Sequence, residues 1–257
     1  MLINLHKLLL AFVVFLVIEI PSAQGQNPKK IETDRPGRAQ TPFVAPKHSV
    51  QVETGFEWLK QDENEHSWQH PEFVIKYGLF KHLEVRARIL SVTDRFKQPS
   101  YSQSGIEPVQ LGFKALLTEG KGVLPHTSVT GEFGIPRFAS KDYVADKFFP
   151  KLRLNFENDI TKKLFLEYNV AADWDGFEDK PEWMIVVSPH AQLGEKWQIF
   201  TEIFEKIHSG SKPEVSSDAG VSYWINNDCM LDVSYGLGIS ETAPKSFVDV
   251  GFSFRLK

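Results

Sequence analysis

The feature that most restricts this 257-residue chain is alternation with a period of two. From residue 49 onward, stretch after stretch sets apolar side chains against polar, charged or small ones at every second position. Val50, Val52, Thr54, Phe56 and Trp58 share one face, and Gln51, Glu53, Gly55 and Glu57 share the other. The pattern recurs at 73–79, 83–89, 109–117, 129–135, 152–156, 164–170, 197–203, 219–225, 231–239 and 248–256, and less cleanly at 183–191, where apolar residues fall on both faces. A helix buries one side at a period of 3.6, whereas strict alternation marks a strand with two different faces. No amphipathic helical pattern lies between the stretches, which excludes a parallel βαβ architecture. Twelve alternating segments, an even number, predict an all-β, antiparallel, up-and-down barrel. The connections predict its polarity. Polar stretches at 60–67, 94–105, 136–147, 174–181 and 206–217 read as long loops. They alternate with shorter links at 81–82, 119–125, 158–163, 194–196 and 226–228. Long loops at one end and short turns at the other are the asymmetry of an outer-membrane barrel.

The N-terminus reads as an export signal. Lys7 precedes the apolar run of residues 8–18, too short to span a bilayer, and Ala23-Gln24-Gly25 has the small-x-small form of a cleavage site. The expected organisation is a signal peptide over 1–25, a Pro-rich segment over 26–48 that is periplasmic or lumenal, and a barrel over 49–257. Composition agrees with a folded, exported chain. With 42% hydrophobic residues disorder is excluded, and a net charge of −4 without any basic run argues against nucleic acid as a partner. A single cysteine, Cys229, excludes a disulfide framework.

Alternation alone does not say which face meets which solvent. Twelve strands exceed the roughly eight of a small soluble barrel. Trp58, Trp68, Trp174, Trp183, Trp197 and Trp224 lie near segment ends, where interfacial girdles sit. The chain also closes on a strand, with Val248, Val250, Phe252, Phe254 and Leu256 on one face. An open edge in lipid leaves backbone groups unsatisfied, so this strand is expected to pair with the first and close the ring. The apolar face then meets outer-membrane lipid. Glu53, Glu57, Lys76, Glu84, Arg86, Arg88, Lys114, Glu132, Arg153, Glu157, Glu167, Glu202 and Arg255 face the lumen. Charges of both signs there either pair across the lumen and block it or line a wet channel.

Thr33-Asp34-Arg35-Pro36 opens a stretch that continues through Pro42, Phe43, Pro46, Lys47, Glu53, Gly55 and Phe56. Asp218, Gly220, Tyr223, Leu231, Asp232, Gly236 and Gly238 follow late in the chain. In these elements the sequence resembles the bacterial outer-membrane barrel family named for the MetA pathway of phenol degradation, over nearly the whole mature chain. His48 departs from the pattern, standing where that family commonly has Gly. The resemblance implies an outer-membrane transporter or channel for a small solute, hydrophobic or aromatic by the family's name.

Signatures of other chemistry are weak. No Gly-x-Ser-x-Gly, His-Glu-x-x-His or P-loop occurs. His66 and His70 are spaced like ligands on a helix but lie in a polar stretch, where a surface pair is expected. Asp173, Asp175, Glu178 and Asp179 lack full calcium-loop spacing and read as an acidic external loop. His126 with Ser128, and Ser188 with His190, are near in sequence without an ordering third partner. The reading is therefore a channel or transporter with no metal, cofactor or catalytic residues. Its partners are outer-membrane lipid, the barrel-assembly machinery and a small-molecule solute. An occluded structural or adhesive barrel is the alternative, and a lipid-modifying enzyme the third reading.

Overall fold

The computed structural model describes residues 30–257; the signal peptide expected over 1–25 lies outside the described residues. Thirteen strands run in chain order: β1 (Val50–Lys60), β2 (Glu65–Phe80), β3 (Leu83–Lys97), β4 (Ser100–Ile106), β5 (Val109–Thr118), β6 (His126–Ile135), β7 (Phe149–Asp159), β8 (Leu164–Asp173), β9 (Glu182–Leu193), β10 (Trp197–Ile207), β11 (Glu214–Asn226), β12 (Cys229–Gly238) and β13 (Ser246–Leu256). β4 and β5 are two halves of one stave. Both pair with β3, at Ser91↔Ile106 to Lys97↔Ser100 and at Leu83↔Ala115 to Arg88↔Gln110. Pro108 falls at the break, where a residue without an N–H does not interrupt the ladder. Twelve antiparallel staves result. β13 pairs with β1 along their full length, from Val50↔Leu256 to Lys60↔Ser246, and with β12 on its other side. The twelve staves close into a ring, as a structure in hydrocarbon requires, and β4, which pairs with β3 alone, leaves an edge only at the end of its stave.

The barrel is apolar outside and polar inside. Phe56 is 53% exposed on the outer wall, while Lys114, Glu53 and Lys76 are at most 2% exposed inside. Each strand keeps the alternation of its sequence. In β1 every second residue from Gln51 to Glu57 is buried, with Val50, Val52, Thr54 and Phe56 between them on the outer face. Trp183 and Trp197 lie exposed on the outer wall, and Trp58 lies beside Trp68 with the rings tilted at 54° and 6.3 Å between centroids. Trp224 does not join this outer set. It points inward, is 6% exposed, and packs with Ile31 and Met230, because its register places it opposite the outward-facing Tyr223 and Ile225.

Three of the expected long loops are wholly or half strand, 206–217 among them, where β10 runs to Ile207 and β11 starts at Glu214. Residues 65–67 and 94–97 with 100–105 continue β2, β3 and β4, leaving connections of residues 61–64 and 98–99. At about 3.3 Å per residue, the fifteen residues of β3 reach about 50 Å along the strand, or roughly 35–41 Å of height at the tilt of about 35–45° usual in such barrels, which exceeds their apolar band of about 25 Å. The excess projects beyond the wall, where both faces are wet, so the sequence there is polar on both sides. The outer edge of β4 is covered by a turn at 140–143. Ser140 N donates to Ile106 O at 2.9 Å, Ile106 N donates to Ser140 Oγ at 2.8 Å, and Tyr143 Oη donates to Asp94 Oδ2 at 2.9 Å. His66 and His70 therefore lie on an extended strand rather than in a loop, and His70 Nε2 bonds Thr93 Oγ1 at 2.8 Å. In the 61–64 turn, Lys245 and Lys60 hold the Glu63 carboxyl down to about 2.

Candidate functional site

Residues 30–48 form a strap inside the barrel. Both ends of the strap lie at the barrel end where β1 begins and β13 finishes. Ile31 N donates to Asn227 O in the β11–β12 turn at 2.7 Å, and Trp224 Nε1 donates to Ile31 O at 3.2 Å. At the return, His48 N donates to Gly78 O at 2.7 Å. Between these anchors the chain climbs to Ala39, which packs with Ala171, Met184, Val186, Phe204 and Phe247 near the loop end, and then descends. This contact explains the mixed pattern of β9. Met184 and Val186 are apolar on the inner face because the strap brings an apolar partner to them. His48 takes a left-handed φ of 64°, the conformation that glycine adopts freely, which is why a glycine is common at this turn in the family it resembles.

The strap is fixed by charge. The lumen wall is uneven in charge: Glu53, Glu57, Glu167, Glu202, Asp218, Asp232 and Asp249 line β1, β8 and β10–β13, whereas Lys76, Arg86, Arg88, Lys114 and Arg153 stand on β2, β3, β5 and β7 among the carboxylates Glu72, Glu84, Glu132 and Glu157. Consecutive strap residues point to opposite walls. Asp34 faces the basic side, pairing with Lys76 at 2.7 Å, with Lys114 at 2.6 Å and with Arg86. Arg35 faces the acidic side, pairing with Asp249 at 2.5 Å and Asp232 at 3.0 Å. Arg38 pairs with Glu57 and lies over the rings of Phe247 and Phe204, at 5.1 and 5.9 Å.

Wall side chains also satisfy the strap's backbone. Glu202 accepts from Arg38 N at 2.5 Å and Ala39 N at 3.1 Å, Glu53 accepts from Asp34 N at 3.1 Å, and Glu84 accepts from Ala45 N at 2.7 Å. Asn169 exchanges two bonds with Gln40, at 2.6 and 3.0 Å. Lys114 donates to Thr41 O and Arg153 to Arg38 O, each at 2.7 Å. Buried backbone groups need partners, and here the barrel wall supplies them as a neighbouring strand would.

The expected lumen-facing residues are brought together on this inner surface, but their pairing differs from a direct bridge across the lumen. Arg86 bonds Glu84 on its own strand at 2.9 Å and Glu132 at 3.5 Å, and Arg88 pairs with Glu72 on β2. The strap stands between the walls, so ion pairs run along a wall or through the strap. Arg255 sits at the rim, tied to Asp228 at 2.6 Å. Glu157 and Glu167 are cross-strand neighbours. The alternation also marks inward residues outside the expected set, Asp218, Asp232 and Asp249 among them; continuing the period through their strands finds all three. Pro36 completes the motif at the strap's turn, and Thr33 Oγ1 donates to Arg35 O at 2.9 Å.

Above the strap, toward the loop end, a cavity of about 310 Å³ is floored by Asp34, Arg35, Pro36, Gly37 and Arg38. It continues past Gln110, Lys151, Asp173 and Glu182 into an outer mouth of about 600 Å³. On the other side of the strap, between it and β8–β12, lies a small pocket of about 20 Å³.

The two Ser/His pairs do not form a relay. Ser188 Oγ bonds His190 Nε2 at 3.0 Å, but Glu167 approaches the same nitrogen at 3.7 Å and His190 Nδ1 has no partner among the described residues. Both side chains face the lumen rather than lipid. His126 Nδ1 accepts from Gly120 N, and Ser128 Oγ accepts from Asn155. In the acidic loop, Asp175 caps the N–H groups of Phe177 and Glu178 and Asp179 pairs with Lys147.

The model of the family "Putative MetA-pathway of phenol degradation" matches residues 33–256. The chain belongs to that family. No curated protein matches it in sequence. Among solved structures it is similar to an outer membrane channel from Pseudomonas putida F1, at a TM-score of 0.66 and 10% identity, covering 86% of this chain and 99% of that one. It is also similar to the KdgM porin, at 0.54 and 10%, covering 80% and 99%. The CymD monoaromatic hydrocarbon channel follows at 0.50 and 10%, covering 81% and 88%. At such identities the likeness is one of fold, the twelve-stave membrane barrel derived above.

Proposed function

We propose that the protein is an outer-membrane channel for small solutes whose lumen is gated by residues 30–48. The observation that carries this reading is the funnel itself. A wide mouth narrows onto a floor made by one chain segment, and polar bonds fix most of that floor, with apolar packing at Ala39 and Ile31. Polar groups that leave such contacts are taken up by water, whereas the apolar surface of a well-packed plug is not. The strap enters and returns at the same barrel end, so it withdraws without threading. In this reading the signal over 1–25 exports the chain, the barrel-assembly machinery inserts it, and the start of β1, the end of β13 and the short turns between staves lie on the periplasmic side. The family's description and the likeness to a monoaromatic hydrocarbon channel support an aromatic solute as cargo.

The second reading is a closed barrel acting through its surface. It is favoured by how fully the strap's groups are bonded in the lumen. Planar-bilayer recording of the purified protein separates the two. Solute-dependent current, raised by loosening the strap, supports the channel. A silent barrel whose strap variants are also silent supports the closed form.

A further inference from the structure

The guanidinium of Arg35 occupies a built socket. Gly55 on β1 and Gly251 on β13 are direct register partners across the closing seam, and Asp232 on β12 is the register partner of Gly251. A Cβ at either glycine would overlap the guanidinium, so the two bare backbones form a flat floor on which that planar group lies. Asp249 and Asp232 supply carboxylates at 2.5 and 3.0 Å, both to Nη2. The side chain is 9% exposed. The site still has unused capacity among the described residues, since Arg35 Nε and Asp232 Oδ2 have no partner. Both carboxylates meet one nitrogen, so what selects a planar cation over a compact ammonium here is the flat glycine floor.

The structure assigns this socket as a binding site for guanidinium and amidinium groups, filled here by the protein's own Arg35 as a tethered occupant that latches the strap. A solute carrying such a group and entering from the loop end meets the site directly, because Arg35 and Asp249 both line the cavity above the strap. A group on a short flexible tether competes at an effective concentration on the order of millimolar, and one on a strap bonded on both sides of it competes at more than that. Free guanidinium compounds therefore displace it only at that level or above, and removal of the arginine side chain opens the site at lower concentration. The latch rests on the gated-channel reading, whereas the binding site itself does not.

The test uses the full mature chain in detergent and the variants Arg35→Gly and Arg35→Lys, with methylguanidinium chloride as probe and equal sodium chloride as control. The readout is the temperature at which the barrel loses its heat-modifiable folded form. Methylguanidinium at low millimolar concentration is expected to raise that temperature by a few degrees in Arg35→Gly and to leave the wild type unchanged. Arg35→Lys keeps the charge but not the fork and is expected to respond weakly. Adding Asp249→Asn to Arg35→Gly is expected to abolish the response. If Arg35→Gly does not fold, refolding from urea with methylguanidinium is expected to recover the barrel. Equal responses in all proteins, or no response and no recovery, overturn the site. Bilayer recording reads the latch separately. Arg35→Gly is expected to conduct several-fold more than wild type and to be blocked by methylguanidinium. Unchanged conductance with binding intact refutes the latch and the gate and keeps the site.

Discussion

Asp34→Asn removes the charge on which three buried cations converge. The size of the effect follows from what each cation has left. Lys76 keeps Glu53 at 2.5 Å, and Arg86 keeps Glu84 and Glu132. Lys114, fully buried, has Asp34 as its ion-pair partner and otherwise bonds the carbonyl of Thr41. Removing one partner of a buried pair costs about 3–5 kcal/mol, so most of the loss falls on Lys114. The strap offers an escape, because its withdrawal lets water reach the ammonium. The variant is therefore expected to show the loss as strap opening rather than barrel unfolding. Amide hydrogen exchange in detergent reads this directly. Protection of residues 34–45 should fall by roughly two to four orders of magnitude, given a factor of ten per about 1.4 kcal/mol, while the strands keep theirs. Lys114→Met in the same chain removes the stranded charge and should restore much of the protection. Unchanged exchange in Asp34→Asn, or no recovery in the double variant, refutes the assignment of Asp34 as the hub.

Four further outcomes are expected. Phe113→Arg, on the outer face of β5, should cost about 2–4 kcal/mol in reconstituted bilayers if it lies near mid-membrane, and urea titration of folded barrel against wild type checks this. Truncation after Gly251 removes the half of β13 that pairs with Val50–Thr54, and membrane fractionation should find no heat-modifiable barrel. Replacing Arg86 and Arg88 by Ser leaves Asp34, Glu72, Glu84 and Glu132 short of cations, so bilayer recordings should show higher conductance and a shift toward cation preference. His48→Gly relieves a left-handed φ at the price of a 3.4 Å contact to Tyr77, and should be neutral or stabilising by up to ~1 kcal/mol in the same urea titration.

The barrel wall was legible because lipid and lumen impose opposite demands on adjacent residues. β1 and β13 read correctly from Val50 to Glu57 and from Val248 to Leu256 on alternation alone. It failed where a strand left that environment. The 94–105 stretch is polar on both faces because β3 and β4 there stand in water, so a strand reads as a loop. It blurred in β9 because Met184 and Val186 face the strap rather than the wet lumen. The strap itself carried little periodic signal. Thr33-Asp34-Arg35-Pro36 was visible as a motif, but its function depends on partners as far away as Asp232 and Asp249, 197 and 214 residues on. The Gly55–Gly251 floor was equally hidden, since only the seam register makes the two glycines neighbours. A local pattern fixes which way a side chain points; it does not say what stands opposite.

The central claim is that residues 30–48 close the lumen. Single-channel recording of the full mature chain beside the same chain lacking residues 33–43 tests it most directly. The account predicts low or intermittent current for the intact protein and a steady, several-fold larger conductance once the strap is absent, with a cation preference set by the exposed Asp218, Asp232, Asp249, Glu57 and Glu202. Equal conductance and selectivity in the two folded proteins would contradict it.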